Sequence, residues 1–430
     1  MMAMLVPRYG GGSLADLPDA LLAALGAPAP GTSSAAAEHG TSNAAPQDGD
    51  APTPAEGFGA ASMSGGTDAR DTSPPTPHTT SHATPPHHSP LVLGRADRVC
   101  LFLVDGLGAE LLRAHAGAAP FLSGLAGTTL TAGFPATTVT SLCSLGTGLT
   151  PGEHGMLGLT LAVPGTGRLF NCLRWTLPGG ETMDPHRWQP APTVYERAAR
   201  AGIDSVYVAP GEFEGTGLTR AVYRGVRYVP ADTVDERVAR VHEAMRAGST
   251  HVTVYYGDLD AAGHMTGWGS DEWLRQLTVV DDMARRLAEG LPPGSALYVT
   301  ADHGMVNATE KIDAEKATEL TEGVALLGGE ARARHVYARP GAAEDVLEAW
   351  RDTLRGKAWV VSRQEAVEAG WFGPRVRDAW LERIGDVVAV PHTDLAIIAP
   401  TRHPIEALFI GYHGSMTAAE QNVPLLEVRT

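Results

Sequence analysis

The sequence predicts an α/β fold, a mainly parallel sheet with helices on both faces. Three observations point there. From Leu91 onward, short apolar runs alternate with segments of helical character, as buried strands and crossover helices do. Several runs end on Asp or His, at the strand ends where such sheets bind ligands. The chain has 430 residues, 43% of them hydrophobic, enough for a sizeable core.

The elements follow in chain order. Leu14–Gly26 reads as a short helix: Pro18 suits its first turn, Leu21, Leu22 and Leu25 give an apolar face, and Gly26 ends it. Residues 27–90 are a low-complexity tract of Ala, Pro, Ser, Thr, Gly and His. Phe58 and Met63 are almost its only large apolar residues, so burial cannot offset the entropy of ordering, and the sequence predicts disorder. Its histidines, such as His78, His82, His87 and His88, are read as biased composition. Residues 91–430 carry the strand candidates "RVCLFLVDG", "IDSVYVAPG", "HVTVYYGDLD", "SALYVTADHG", "DLAIIAP" and "ALFIGYHG". One helix is well marked: Ser270 can cap it, and Trp273, Leu277, Val280, Ala284 and Leu287 line one face before Gly290. At about 328–385, "ARHVYARP", a helix near Glu344 to Leu354 and "AWVVSRQ" read as a small α/β cap inserted in the domain, placed as a lid would be.

Charge and composition exclude some functions. A formal charge of −16 argues against a surface for nucleic-acid polymers. Cys100, Cys143 and Cys172 form no disulfide framework or metal-type pair. No apolar run reaches membrane-spanning length, and "MMAMLVPRYGGG" lacks a basic start and a long enough apolar run for a signal peptide. The expectation is a cytoplasmic protein without a membrane partner.

The strand ends carry the chemistry. "CLFLV" runs into Asp105, "VTVYYG" into Asp258 and Asp260 with His264 behind, "ALYVTA" into Asp302 and His303, and "ALFIGY" into His413. Each motif alone could be a turn or a solvated pair. Together they deliver carboxylates and imidazoles to one edge, where unpaired carboxylates would repel. Divalent ions resolve that cost; mixed Asp/His shells suit zinc, with manganese or iron as alternatives. The stretch "GFPATTVTS" crowds hydroxyls with no histidine nearby to act as base. A metal can activate such a hydroxyl. Thr138 is the candidate, at the start of the helix read from "VTSLCSLGTG"; the plain alternative is that Thr137 or Thr138 only caps that helix.

The set "LVDGLG", "FPATTVTSLCSLGTGLTPGEHG", "GDLDAAGHMTG", "TADHGM" and "GYHG" resembles the alkaline phosphatase superfamily, nearest its type I phosphodiesterase/nucleotide pyrophosphatase branch, from Arg98 onward. The resemblance implies an alkaline phosphatase-like fold and a hydrolase of small phosphoesters, nucleotides among them. It implies a threonine nucleophile three positions after Pro135 and nine before Thr147-Gly148, which is Thr138. It implies one zinc on Asp105, Asp302, His303 and Thr138, a second on Asp260, His264 and His413, and a phosphothreonine intermediate.

There is one departure. Diesterases of this branch place a phosphoryl-binding Asn 21 residues after the nucleophile, and here that position is Leu159. Asn171 is the candidate substitute, and Phe213 a candidate wall of the leaving-group pocket. The departure leaves phosphomonoesters and phosphonates open as substrates. Other readings fit less well. "VDGLGAE" lacks the third glycine of a dinucleotide loop, and Asp105 would repel a pyrophosphate. Cys143 lacks the Pro and Arg of a sulfatase motif, and no G-x-S-x-G elbow is present. A cofactor-independent phosphoglycerate mutase would need a Ser nucleophile and a larger insertion. The reading from another class is a non-catalytic protein that binds through residues 27–90; the complete ligand set weighs against it.

Overall fold

The computed structural model describes residues 3–27 and 91–430. The tract expected to be disordered lies, but for Ala27, outside the described residues.

A seven-stranded mixed sheet runs through the core in the order Ala126–Thr131, Asn422–Arg429, Ser295–Thr300, Arg98–Val104, His251–Tyr256, Ser205–Ala209, Arg227–Pro230. The last five in that order are mutually parallel, and Asn422–Arg429 is antiparallel to both its neighbours. The central strands are apolar throughout and buried, as expected where helices cover a parallel sheet. Helix Asp271–Glu289 packs its Trp273, Leu277, Val280, Ala284 and Leu287 stripe into the core, and Ser270 accepts from the Trp273 N–H at 3.2 Å. Near the N-terminus, helix Leu17–Ala24 buries Leu17, Leu21 and Leu22 in that same core.

A four-stranded antiparallel sheet spans the stretch from Val324 to Pro391, in the order Val324–Glu330, Ala333–Ala338, Val387–Pro391, Ala358–Ser362. Helix Ala343–Thr353 packs Val346 and Trp350 with Val336 and Val387 in a second apolar cluster. A hairpin of Thr160–Val163 and Arg168–Asn171 forms its own two-stranded sheet and is tied to the four-stranded one, the Thr160 hydroxyl donating to the Gly329 carbonyl at 2.7 Å and the Tyr337 hydroxyl accepting from the Ala162 N–H at 3.0 Å. Among the described residues, no helix is long and apolar enough to cross a membrane.

Two expected strands fall elsewhere. "DLAIIAP" supplies Leu395–Ile398, which pairs with Glu310–Asp313 in a separate two-stranded ribbon. "ALFIGY" is mostly not a strand. Pro404–Ala407 is a 3-10 turn, and only Gly411–Tyr412 pairs, with Val306–Asn307. Its apolar residues do not mark a core strand, because Leu408 and Ile410 are exposed. Three strands of the main sheet were not expected: Ala126–Thr131 and Arg227–Pro230 are mixed-polarity edges, and Asn422–Arg429 holds Pro424. That proline lies just beyond the ladder with Ser295–Thr300, so its missing N–H costs no bond there.

Candidate active site

Three adjacent parallel strands set the floor of the site. Arg98–Val104 ends at Asp105, Ser295–Thr300 ends two residues before Asp302, and His251–Tyr256 leads into helix Asp258–Thr266. That helix carries Asp260 and His264 one turn apart on one face. Gly106 has φ +75° and sits where a Cβ would come within 3.0 Å of the Asp260 carboxylate, so only glycine lets these loops close up. Its N–H donates to Asp302 Oδ1 at 3.1 Å. His413 comes from the loop after Gly411–Tyr412, not from a strand of the main sheet as expected.

The three imidazoles are oriented alike. Nδ1 of His303 bonds the Gly304 carbonyl at 3.0 Å, Nδ1 of His264 the Gly411 carbonyl at 2.8 Å, and Nδ1 of His413 the Ala136 carbonyl at 3.0 Å. A carbonyl accepts only, so in each neutral ring Nδ1 carries the proton and Nε2 a lone pair. Those Nε2 atoms converge: His264 and His413 stand 3.2 Å apart, and His303 lies 3.3 Å from Asp105 Oδ1 and 3.4 Å from Asp302 Oδ2. His264 Nε2 is 3.2 Å from Asp260 Oδ2.

The carboxylates are similarly half used. Asp105 Oδ2 accepts from the Tyr255 hydroxyl, and Asp302 Oδ1 from the N–H groups of Gly106 and His303. Asp105 Oδ1, Asp302 Oδ2 and Asp260 Oδ1 are buried with no hydrogen-bond partner. Burial raises the Asp105 pKa, and the charges of Asp302 and Asp260 push it further; burial also raises Asp302. Burial opposes ionisation of Asp260 too, but His264, His413 and His303 hold its pKa below the usual carboxylate range. Burial, with His303 beside it, depresses His413. Lone pairs and orphaned carboxylate oxygens facing one another are what a divalent cation satisfies, so the residues present fit metal ions. Asp260, His264 and His413 bring ligand atoms within 4.8 Å of one another, as do Asp105, Asp260 and His303. Asp260 thus borders both groups, which the motifs alone did not reveal.

Thr138 opens helix Thr138–Thr147, and its Oγ1 is 3.2 Å from His303 Nε2. Of the hydroxyls in "GFPATTVTS", Thr137, Thr140 and Ser141 are buried and Thr138 is partly exposed. Thr137 takes the N-cap position, but its side chain makes no capping bond.

Thr138, Asp260, His264 and His413 border a cleft of about 1120 Å³. Its opposite side is built from the 160–171 hairpin and the 401–409 segment. Leu159 and Asn171 both line it, but Asn171 Oδ1 is occupied by the N–H groups of Leu173 and Arg174, at 3.0 and 2.8 Å. Phe213 is half-buried outside the cleft lining, edge-on to Tyr255 with ring centres 6.1 Å apart. Three contributors were missed in the sequence: Tyr255 on Asp105, Phe409 stacked 4.3 Å from His264, and buried Glu330 in the cleft wall. Tyr255 read only as one more strand residue, and nothing local marked the other two.

The mixed sheet, with the Asp/His/Thr cluster at its edge, is an alkaline phosphatase-like α/β fold. The chain belongs to the type I phosphodiesterase/nucleotide pyrophosphatase family, whose family model matches residues 99–416. That family is metal-dependent and its members hydrolyse phosphoester bonds. Rat (Rattus norvegicus) ectonucleotide pyrophosphatase/phosphodiesterase family member 3 is 26% identical over 223 residues, 48% of this chain. The match spans a quarter (25%) of that relative's length. Among solved structures, murine ectonucleotide pyrophosphatase/phosphodiesterase 5 superposes with a TM-score of 0.61 at 19% identity, over 76% of this chain and 87% of that one. The same protein is known as an inactive threonine-to-alanine variant in complex with AMP. Phosphonoacetate hydrolase from Sinorhizobium meliloti, in complex with phosphonoformate, gives 0.60 at 19% identity, over 77% and 90%.

Proposed function

We propose that this protein hydrolyses small phosphodiesters or pyrophosphates, nucleotides among them, with Thr138 as the nucleophile. One observation carries the reading: three imidazole lone pairs and three orphaned carboxylate oxygens converge beside the one partly exposed hydroxyl at a helix N-terminus. Two divalent cations, zinc first and manganese or iron as alternatives, held by Asp105, Asp302, His303 and Thr138 and by Asp260, His264 and His413, would supply charge that favours the threonine alkoxide and offsets charge on the leaving oxygen.

The chain's own groups define the rest. Thr138 Oγ1 attacks phosphorus as the bond to the leaving oxygen breaks, and a phosphothreonine results. The first-turn N–H groups of helix Thr138–Thr147 favour the phosphoryl oxygens. The Tyr255 hydroxyl and the Gly106 N–H hold Asp105 and Asp302 in place. Water then attacks the phosphothreonine, restores the hydroxyl and releases the phosphorylated product. The roomy cleft beyond, with Leu169, Leu173 and Ile405 in its walls, suits a bulky leaving group.

A second reading, hydrolysis of phosphomonoesters or phosphonates, is favoured by Leu159, which puts an apolar side chain where diesterases of this kind carry an amide. The test is metal-reconstituted protein assayed on a panel of mono- and diesters, with bound metal measured in parallel. Faster turnover of bis-p-nitrophenyl phosphate than of p-nitrophenyl phosphate supports the first reading; the reverse supports the second. No turnover of any ester with both sites loaded overturns both.

A further inference from the structure

The short helix Ala418–Gln421 is bonded to two of the histidine loops through one residue, Glu420. Glu420 is fully buried and belongs to neither group of candidate metal ligands. Its carboxylate accepts four hydrogen bonds, two at each oxygen. Oε1 takes the Ser415 N–H and Arg332 Nε, each at 3.0 Å. Oε2 takes Arg332 Nη2 and the Thr417 hydroxyl, each at 2.6 Å. Ser415 lies two residues beyond His413. The Glu420 carbonyl accepts from the N–H of Gly304, the residue after His303, at 2.8 Å.

His413 has little regular structure of its own to hold it. The strand before it, Gly411–Tyr412, is two residues long. The stretch after it borders the turn that carries Thr138: His413 Nδ1 donates to the Ala136 carbonyl at 3.0 Å, and the Gly414 carbonyl accepts from the Ala136 N–H at 3.1 Å. The Glu420 carboxylate fixes the far end of that stretch at Ser415.

Arg332 reaches Glu420 from the other sheet. It is fully buried in the two-residue turn between Val324–Glu330 and Ala333–Ala338, and its Nη1 donates to the carbonyls of Thr393 and Leu395. All three nitrogens of the guanidinium are therefore engaged. A buried ion pair is a weak source of net stability, because apolar residues of similar volume often serve as well. Its two-pronged geometry does fix the carboxylate in place, and with it the N–H that the carboxylate holds.

We propose that Glu420 is a positioning residue for the metal ligand His413, acting through its bond to the Ser415 N–H, and that Arg332 holds it in register. The inference rests on the metal-binding part of the function proposed above. Groups that orient ligands without touching the metal commonly set its affinity by 10–100-fold.

The test removes the ion pair and the Ser415 bond separately, in the full chain. Arg332→Met/Glu420→Leu deletes both; Arg332→Met/Glu420→Gln deletes the pair but keeps an amide oxygen for Ser415, and neither leaves a buried charge unpaired. Zinc affinity is read by chelator competition, without substrate, on chains shown to be folded by circular dichroism. The leucine variant should bind one of two zinc ions about tenfold more weakly than the parent, and the glutamine variant should stay within about threefold. In a His413→Ala background the leucine change should cost no further affinity, because the ligand it positions is gone. Parent-like zinc binding by the leucine variant overturns the proposal. So does glutamine falling as far as leucine, because the loss would then not come from the Ser415 bond. If the Arg332→Met chains do not fold, Glu420→Asp keeps the charge opposite Arg332 but is one methylene short of spanning both partners. It should weaken one zinc about tenfold, and parent-like affinity overturns the proposal. A parent chain that takes up no zinc overturns the metal reading and this inference together; one that binds zinc yet hydrolyses no ester defeats only the proposed activity.

Discussion

The two sides of the cleft are built on opposite terms. On one, Asp105, Asp302 and His303 sit at the ends of ladder-bonded strands, at most 3% exposed, each fixed by at least one bond to a neighbour. On the other, a hairpin and the irregular 401–409 segment leave Leu173 47% and Ile405 45% exposed. The contrast teaches where accuracy is needed. Reacting groups must hold position to a fraction of an ångström, which hydrogen-bonded strands provide. A leaving-group wall needs only shape and apolar area, which loops provide and can vary.

The sharpest way to break this contrast is at the proposed nucleophile, Thr138. Thr138→Ala should cost on the order of a thousandfold or more in kcat/KM while bound metal persists, because the protein carboxylates and imidazoles remain. Thr137→Ala, one residue away, should cost little, roughly 1 kcal/mol of stability at most. Steady-state kinetics with elemental analysis of both variants decide; normal turnover by Thr138→Ala would show that Thr138 is not the nucleophile.

Next comes the ligand delivered by a loop. His413→Ala should release about one metal ion per chain and lower activity by about 100-fold, with the second ion retained. Retention of both ions at unchanged affinity, measured against a chelator series, would remove His413 from the site.

Gly106→Ala probes the rigid side without replacing a ligand residue. Its φ of +75° and the 3.0 Å approach to Asp260 mean that an added methyl must displace that carboxylate. A loss of about 1–2 kcal/mol of stability is expected, with metal affinity down by about tenfold. Denaturant unfolding of metal-free and metal-loaded protein separates the two effects.

The smallest effect belongs to the adaptable wall. Leu173→Ser should leave kcat and metal content unchanged and raise KM for bulky diesters about three- to tenfold, with little change for small ones. Equal losses on both substrates would show that this wall does not sense the leaving group.

Legibility in the sequence followed the same divide. Asp105, Asp302 and Asp260 could be read because each follows an apolar strand, and strand ends share an edge. The Ser270-capped helix could be read because cap and stripe are local signals. The path of residues 395–413 could not. An apolar run announces burial or an irregular wall alike, and "ALFIGY" turned out to be mainly the latter. Tyr255 acts through a partner 150 residues away in the chain, so its neighbours in sequence carry no trace of the role. The carbonyls that set the histidine tautomers belong to Gly304, Gly411 and Ala136; any residue offers a carbonyl, so no residue type marks them.

Those carbonyls also set a timetable. Gly411 orients His264, and the Ala136 carbonyl orients His413 across 277 residues of chain. The strand Asn422–Arg429 must also slot between Ala126–Thr131 and Ser295–Thr300 before the sheet is whole. During synthesis, Thr138 leaves the ribosome long before the residues that complete its surroundings. The nascent chain therefore carries Thr138 alone, and the cluster around it comes together only as the distant segments dock, one of the slower events in folding because loops of that length must close.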